Sequence, residues 1–394
     1  MKKVFLIHHI YIVLVSQADA KYNVEMELLK ASEKHNQELI QFLGSQSIRG
    51  EIELRFMREE DFGVKLKLLG NEHETYFIRD ENDQISACAS LFFEDVFIDS
   101  EIVKVCWITD LRIGDSKKAS YHWMTRFFNK VFERASTLGA QHIFTTIFKE
   151  DRESINSLTR PRKRNRELPQ FLHMRNFDLV SLHAKLPGSR PLLTGIKIKK
   201  MNPNRLEELS QYLNSHSKHR VLGKIYSPEN LATRLESWTN FHEENFYICL
   251  DKRDRIVGSF ALWDTSAFEK MQLINMNDRA RNFYHITKLL SLFGLARPLP
   301  KIGNCLNFNY LTHLYCDNSD IFEKMIHFAF RKSKSKFLIY PQFEDHYIQL
   351  PPKRFLHQNL SFALYTILPQ GERPSEKLRQ KPFSPPPDID IFSL

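Results

Sequence analysis

Apolar positions along the chain recur in one order that is used twice, first around Val24 to Leu186 and again around Gly195 to Pro369. In each copy two adjacent strand patterns lead, after a further segment, to a third strand, a helix, another apolar strand and a short return strand. Strands interleaved with helices in this way predict an α/β fold duplicated in tandem.

In the first copy, Glu74–Asp80 and Ile85–Asp95 predict a hairpin, because β-branched and aromatic residues flank the turn-forming run Asp80-Glu81-Asn82-Asp83. Val103–Ile113 (VKVCWITDLRI) is apolar nearly without a break, as expected for a strand covered on both faces. The loop Gly114–Lys118 then opens a helix over Ala119–Leu138, with Trp123, Phe127, Val131 and Phe132 on one face. Gln141–Phe148 (QHIFTTIF) is the next strand. This order puts a helix N-terminus just beyond the end of a central strand, where unpaired backbone N–H groups and the helix dipole hold phosphate oxygens.

The second copy keeps the outline and loses chemistry. Gly195–Met201 predicts a strand, followed by a helix near Pro203 with a Leu206, Leu209 and Leu213 stripe. Ser227 and Pro228 announce another helix as cap and first helical residue. Asn245–Asp251 and Ile256–Trp263 form the clearest hairpin, around Lys252-Arg253-Asp254-Arg255, and the segment Ala267–Leu295 is expected to be a helix-rich insert. Leu306–Cys316 would be the central strand of this copy, leading through Asp317-Asn318-Ser319-Asp320 into a helix from Ile321; Phe337–Pro341 and Ser361–Leu368 complete its sheet. Two carboxylates and no basic residue in that turn repel phosphate, so Asp317–Asp320 reads as helix capping and this copy is expected not to bind a phosphorylated cofactor.

At 394 residues and 42% hydrophobic content the chain can bury two cores, and its 31 Phe residues fall mostly inside the predicted elements. The expected organisation is an N-terminal extension over 1–22, a first domain over 23–187, a second over 188–370, and a Pro- and Lys-rich tail over 371–394, mobile apart from local packing through Phe383. The boundary is set by the turn-forming run Leu186-Pro187-Gly188-Ser189-Arg190-Pro191. Lys2-Lys3, the apolar run Phe5–Val15 and Ala18-Asp19-Ala20 have the layout of a secretory signal, but His8 and His9 interrupt the run. We read it as an extra N-terminal element or an early start codon, and a cytoplasmic location is expected, with export the alternative this segment leaves open.

Cys88, Cys106, Cys249, Cys305 and Cys316 form no CxxC pair, which argues against a zinc site or a disulfide framework and for small buried hydrophobes. No other stretch approaches the roughly 20 apolar residues that a membrane span needs, so neither metal nor membrane is expected as a partner. The formal charge of +9 gathers in Arg160-Pro161-Arg162-Lys163-Arg164-Asn165-Arg166 and in Arg331-Lys332-Ser333-Lys334-Ser335-Lys336. The first run has no interleaved aromatics, so a solvated loop is expected ahead of an acidic partner or the phosphates of a cofactor, and nucleic acid comes last.

The run DLRIGDSKKASYHW, Asp110 to Trp123, resembles the pyrophosphate-binding turn of the GNAT acyltransferase superfamily. With the element order, the resemblance implies two tandem GNAT-like domains, each a mixed, mostly antiparallel sheet flanked by helices. In the family the turn reads Gln or Arg, two residues, Gly, one residue, then Gly or Ala. Here Lys117-Lys118-Ala119-Ser120-Tyr121-His122 is the nearest match, with Ser120 and His122 where the glycines fall. Side chains there limit the approach of a pyrophosphate; Lys117 and Lys118 either compensate with charge or are solvated loop lysines. After the next strand, Asp151 or Asn156 stands where the family often has an Asn.

The resemblance implies acyl transfer from acetyl-CoA or another acyl-CoA to a small-molecule or peptide amine. Lys117, Lys118, Ala119, Ser120 and Tyr121 would hold the cofactor phosphates, and the backbone of Leu111 and Ile113 its pantetheine. Such transfer needs a base and an acid. The family places a carboxylate on or near the central strand, which makes Asp110 the candidate catalytic residue, with Glu94 or Asp95 on the neighbouring strand; Asp110 reads equally as a turn carboxylate bound by backbone N–H groups. The family also often has a tyrosine on the helix after the next strand, and no tyrosine follows Glu150 there. Two alternatives stand beside this expectation: an inactive GNAT-like binding or scaffold protein, and a transferase of the same duplicated fold that takes its acyl group from a charged transfer RNA.

Overall fold

A computed structural model describes residues 26–69, 72–114, 117–159, 168–188, 195–378 and 385–390. In the first half, β1 (Leu28–Lys30), a helix α1 (Asn36–Ser45), β2 (Ser47–Ile48), β3 (Ile52–Met57) and α2 (Val64–Leu69) precede the predicted hairpin of β4 (Glu72–Arg79) and β5 (Ile85–Ile98). The long apolar strand is β6 (Glu101–Ile113), followed by α3 (Lys117–Thr137), β7 (His142–Phe148), α4 (Arg152–Thr159) and β8 (Gln170–Lys185). Residues of β6 alternate between two cores: Val103, Val105 and Trp107 pack on one side, while Cys106 and Ile108 face Trp123, Phe127 and Val131 of α3 on the other. Burial on both faces explains why its sequence shows no polar alternation.

The second half contains β9 (Lys197–Lys200), α5 (Leu206–Ser217), β10 (Gly223–Lys224), α6 (Pro228–Ser237), β11 (Phe246–Leu250), β12 (Ile256–Trp263), β13 (Lys270–Met276) and α7 (Asp278–Ser291). It ends with β14 (Phe308–Cys316), α8 (Ser319–Lys332), β15 (Phe337–Phe343) and β16 (Phe355–Leu368). Ser227 caps α6 by accepting from the Asn230 N–H, and Asn318 caps α8 by accepting from the Ile321 N–H. The expected capping turn is therefore present.

Both halves share one 13-stranded sheet, in the order β1-β4-β5-β6-β7-β16-β8-β15-β14-β12-β11-β9, with β10 beside β5. Only the β6–β7 and β14–β15 pairs are parallel among the pairings described. The return strands differ most from expectation. Each is long, 16 residues in β8 and 14 in β16, and each is exchanged: β16 lies between β7 and β8, and β8 lies between β16 and β15. The last strand of each half thus occupies the sheet of the other.

Two further expectations are corrected. The helix-rich insert after Ala267 holds α7 but also a strand that was not expected: Lys270–Met276 pairs antiparallel with β3 and forms a small sheet β13-β3-β2 that joins the halves. Its partner strand lies far earlier in the chain, and the local mark is only the short alternation Lys270-Met271-Gln272-Leu273. The tail is packed over 385–390: Pro386, Pro387 and Ile389 are buried, and the Asp388 N–H donates to the Val221 carbonyl. Phe383, the basic run 160–166 and the N-terminal 1–22 lie outside the described residues.

Candidate active site

Strand β6 carries a bulge at the position where its partner leaves it. On the β5 side the register passes from Cys88↔Arg112 to Ser90↔Thr109, so Asp110 and Leu111 together oppose Ala89. On the other side, β7 pairs from Val105↔His142 to Ile108↔Thr145 and no further. Thr109–Ile113 therefore continue past the end of that ladder, and the two strands part. Asp110 adopts φ +54, a left-handed conformation that Asp tolerates better than most residues.

The second half repeats this device. Tyr315 pairs with Ser259 and Thr312 with Ala261, so His313 and Leu314 oppose Phe260, and His313 has φ +51. Strand β15 pairs with β14 only from Phe308↔Phe337 to Tyr310↔Ile339. The sequences Ile108-Thr109-Asp110-Leu111 and Leu311-Thr312-His313-Leu314 are the matching bulges. The shared Thr-x-Leu is the one sequence signal for the second bulge.

The Asp110 carboxylate is 4% exposed and engaged on both oxygens. Arg58 donates to Oδ2 at 3.0 Å and to Oδ1 at 2.7 Å, and to Glu269 Oε2 at 2.7 Å. Lys65 Nζ stands 3.8 Å from Asp110 and 3.9 Å from Glu269. Burial pushes the Asp110 carboxyl up, but Arg58 and then Lys65 outweigh it and hold it down at about 2. A carboxylate so stabilised is a weak proton acceptor near neutral pH. Arg58 and Lys65 come from the first half and Glu269 from the second, so the quartet also ties the halves together at the bulge.

Leu111 and Ile113 lie in the parted segment of β6, half-buried against the core below α3. The backbone of Lys117, Lys118, Ala119, Ser120 and Tyr121 forms the first turns of α3, beyond the end of β6; their side chains lie outside the described part of the structure. Asp151 and Asn156 fall at and within α4. Glu94 instead accepts from Trp107 Nε1 of β6 at 2.8 Å and, across to the second half, from Lys224 Nζ at 2.7 Å. The five cysteines are unpaired, and burial raises Cys88 to about 12, which suits a packed thiol better than a nucleophile.

A polar pocket lies between the halves, bounded by Glu94, Arg234, His313, Tyr315 and Tyr226 and closed by Pro386–Asp390, with a cavity of about 70 Å³. Burial, then Arg234, keeps His313 well below its ordinary pKa and so neutral. Arg234 Nη1 donates to its Nε2 at 3.1 Å, which leaves the ring proton on Nδ1, facing Thr312 Oγ1 at 3.1 Å. Tyr226 and Tyr315 hydroxyls are 3.2 Å apart, and Tyr315 donates to Asp388 Oδ2. None of Arg58, Lys65, Glu269, His313 or Asp388 was marked as functional by the sequence, because each gains its role from a contact with a distant segment.

The paired, bulged and parted strands beside a helix N-terminus can be compared with known proteins. No protein-family model matches the sequence, and no curated protein matches it. Among solved structures, the chain is similar to Saccharomyces cerevisiae N-myristoyltransferase with bound myristoyl-CoA and inhibitors, at a TM-score of 0.56 and 11% identity over 88% of this chain and 80% of that one. It is also similar to a GCN5-related glucosamine N-acetyltransferase region of a fungal multi-domain β-N-acetylglucosaminidase, at a TM-score of 0.51 and 11% identity over 87% of this chain and 38% of that one. The chain has a GNAT-like fold. Within that fold the β6–β7 pair parts after Ile108 in the first half, as the β14–β15 pair does after Tyr310 in the second.

Proposed function

We propose that this protein is an acyl-CoA-dependent N-acyltransferase with its cofactor in the first half and its amine acceptor between the halves. The observation that carries this reading is the parting of β6 from β7 after Ile108, at a bulge and just before the N-terminus of α3. Parted strands offer unpaired backbone groups, and a helix N-terminus offers N–H donors to phosphate. Leu111 and Ile113 would pair with pantetheine, and Lys117 to Tyr121 would face the pyrophosphate. The similarity to an N-myristoyltransferase crystallised with myristoyl-CoA supports an acyl-CoA as donor, with the acyl length open between acetyl and a long chain.

Asp110 serves in this reading as the buried counterion that fixes the bulge. The acceptor amine attacks the thioester carbonyl carbon, the new C–N bond forms as the C–S bond breaks, and the amine proton must leave while the thiolate gains one. The pocket between the halves supplies groups for that traffic: Tyr226 and Tyr315 lead to the Asp388 carboxylate, and Glu94 reaches from the strand beside β6.

Calorimetric titration with acetyl-CoA and with myristoyl-CoA tests the proposal, with adenosine 3′,5′-bisphosphate as a control. One saturable site is expected, weakened about ten-fold in K117E/K118E by reversed charge at the phosphates. Unchanged affinity in that variant would overturn the phosphate turn. No binding of either donor at high ligand concentration would overturn the enzyme reading in favour of a binding or scaffold protein.

A further inference from the structure

Helix α7 presents apolar residues on both of its faces. Inwardly, Ala280 and Thr287 are buried, and Phe283 and Tyr284 pack on the main core. Outwardly, Ile286, Leu289, Leu292 and Phe293 are 53%, 59%, 78% and 71% exposed. They follow one another at helical spacing through the end of α7 and into the turn after it, so they form one apolar stripe facing water. Such a contiguous patch marks a contact surface.

The charge around this stripe is one-sided. From Arg279 to Lys301 the cations are Arg279, Arg281, Lys288, Arg297 and Lys301, and the segment contains no Asp or Glu. Glu51 pairs with Arg279, and Asp278 with Arg281. Next to the stripe, Gly294 and Leu295 line an open groove of about 690 Å³ whose walls include Lys185, Lys324 and Arg331. Arg331 opens the second basic run of the sequence; Lys332 and Lys334 of that run are exposed, while Lys336 is engaged by Asp264.

We infer that the end of α7 docks on an anionic phospholipid surface, inserting Ile286, Leu289, Leu292 and Phe293 at the headgroup boundary while the cations of α7 and α8 meet lipid phosphates. An amphipathic helix with aliphatic and aromatic residues on one side and Lys and Arg beside them has the composition for this contact. A second copy of the chain fits less well, because a symmetric contact would set this cationic face against itself. The contact is peripheral: among the described residues no helix is long and apolar enough to cross a membrane. It is independent of the acyltransferase reading.

Co-sedimentation of the full chain with large vesicles tests the inference, comparing phosphatidylcholine alone with phosphatidylcholine containing phosphatidylserine. Binding to the anionic vesicles alone, falling as salt is raised, is expected. L292S/F293S and K288E/R331E should each weaken it by about ten-fold or more, with thermal unfolding unchanged since all four side chains are on the surface. Equal binding to both vesicle types, or to neither, would overturn the inference without recourse to any variant. So would a concentration-dependent dimer that L292S/F293S abolishes in the absence of vesicle binding.

Discussion

The Arg58 side chain is fully buried and donates to two carboxylates at once, Asp110 and Glu269. Removing it leaves two buried anions with Lys65 beside them and Arg112 acting on Asp110. For R58M we expect a loss of about 3–5 kcal/mol of stability, since breaking a buried pair strands its partner's charge. Urea unfolding of R58M and R58M/D110N checks this. The double variant should recover part of the loss, and a single variant as stable as the parent would show that the quartet holds nothing. Asp110 was legible in the sequence as the carboxylate at the end of the central strand. Its counterions were not, because positions 58, 65 and 269 meet it only after β3, α2 and the β12–β13 connection pack around the bulge.

Among the elements, the strands themselves could be read but their partners could not. The hairpins β4–β5 and β11–β12 are local, so turn residues and alternation were enough to place them. The return strands β8 and β16 both alternate and are both apolar, and pattern alone gives no reason for either to cross to the other half. Their exchange follows from the long β8–β16 ladder, running from Gln170↔Leu368 to Lys185↔Phe355. A fragment 1–187 therefore leaves β7 and β8 without the strand that joins them. We expect it to be unfolded or aggregated alone, and to gain dispersed amide resonances when refolded with a fragment 188–394. A dispersed spectrum of the fragment by itself would mean that the halves are separable domains.

Across the molecule as a whole, buried titratable groups set the pH range of stability. Burial lowers His183, His327 and His346 to about 4. The unfolded chain binds protons on these imidazoles below their ordinary value of about 6.5, while the folded chain does so only near 4, so stability falls as pH drops through that interval. Glu74 and Asp110 are held at about 2, each against the upward push of burial, by Lys30, Tyr76 and Arg134 for the first and by Arg58 and Lys65 for the second. Their contribution is present above the ordinary carboxylate range and is lost as pH falls from about 4 towards about 2. Denaturant midpoints measured from neutral pH downward should decline in both intervals, and a flat curve between about 6.5 and about 4 would contradict neutral buried imidazoles.

Element order, two-fold repetition, the capping turns at Ser227 and Asn318 and the double-sided burial of β6 could all be read from the chain before folding, because they rest on periodicity and on contacts a few residues apart. The exchange of β8 and β16, the pairing of β13 with β3, the quartet around Asp110 and the seating of Pro386–Asp390 against Tyr315 came only with the tertiary structure. Each of these depends on a partner far along the chain, and the free energy of burying a charge or closing a ladder is fixed by that partner and not by the residue alone.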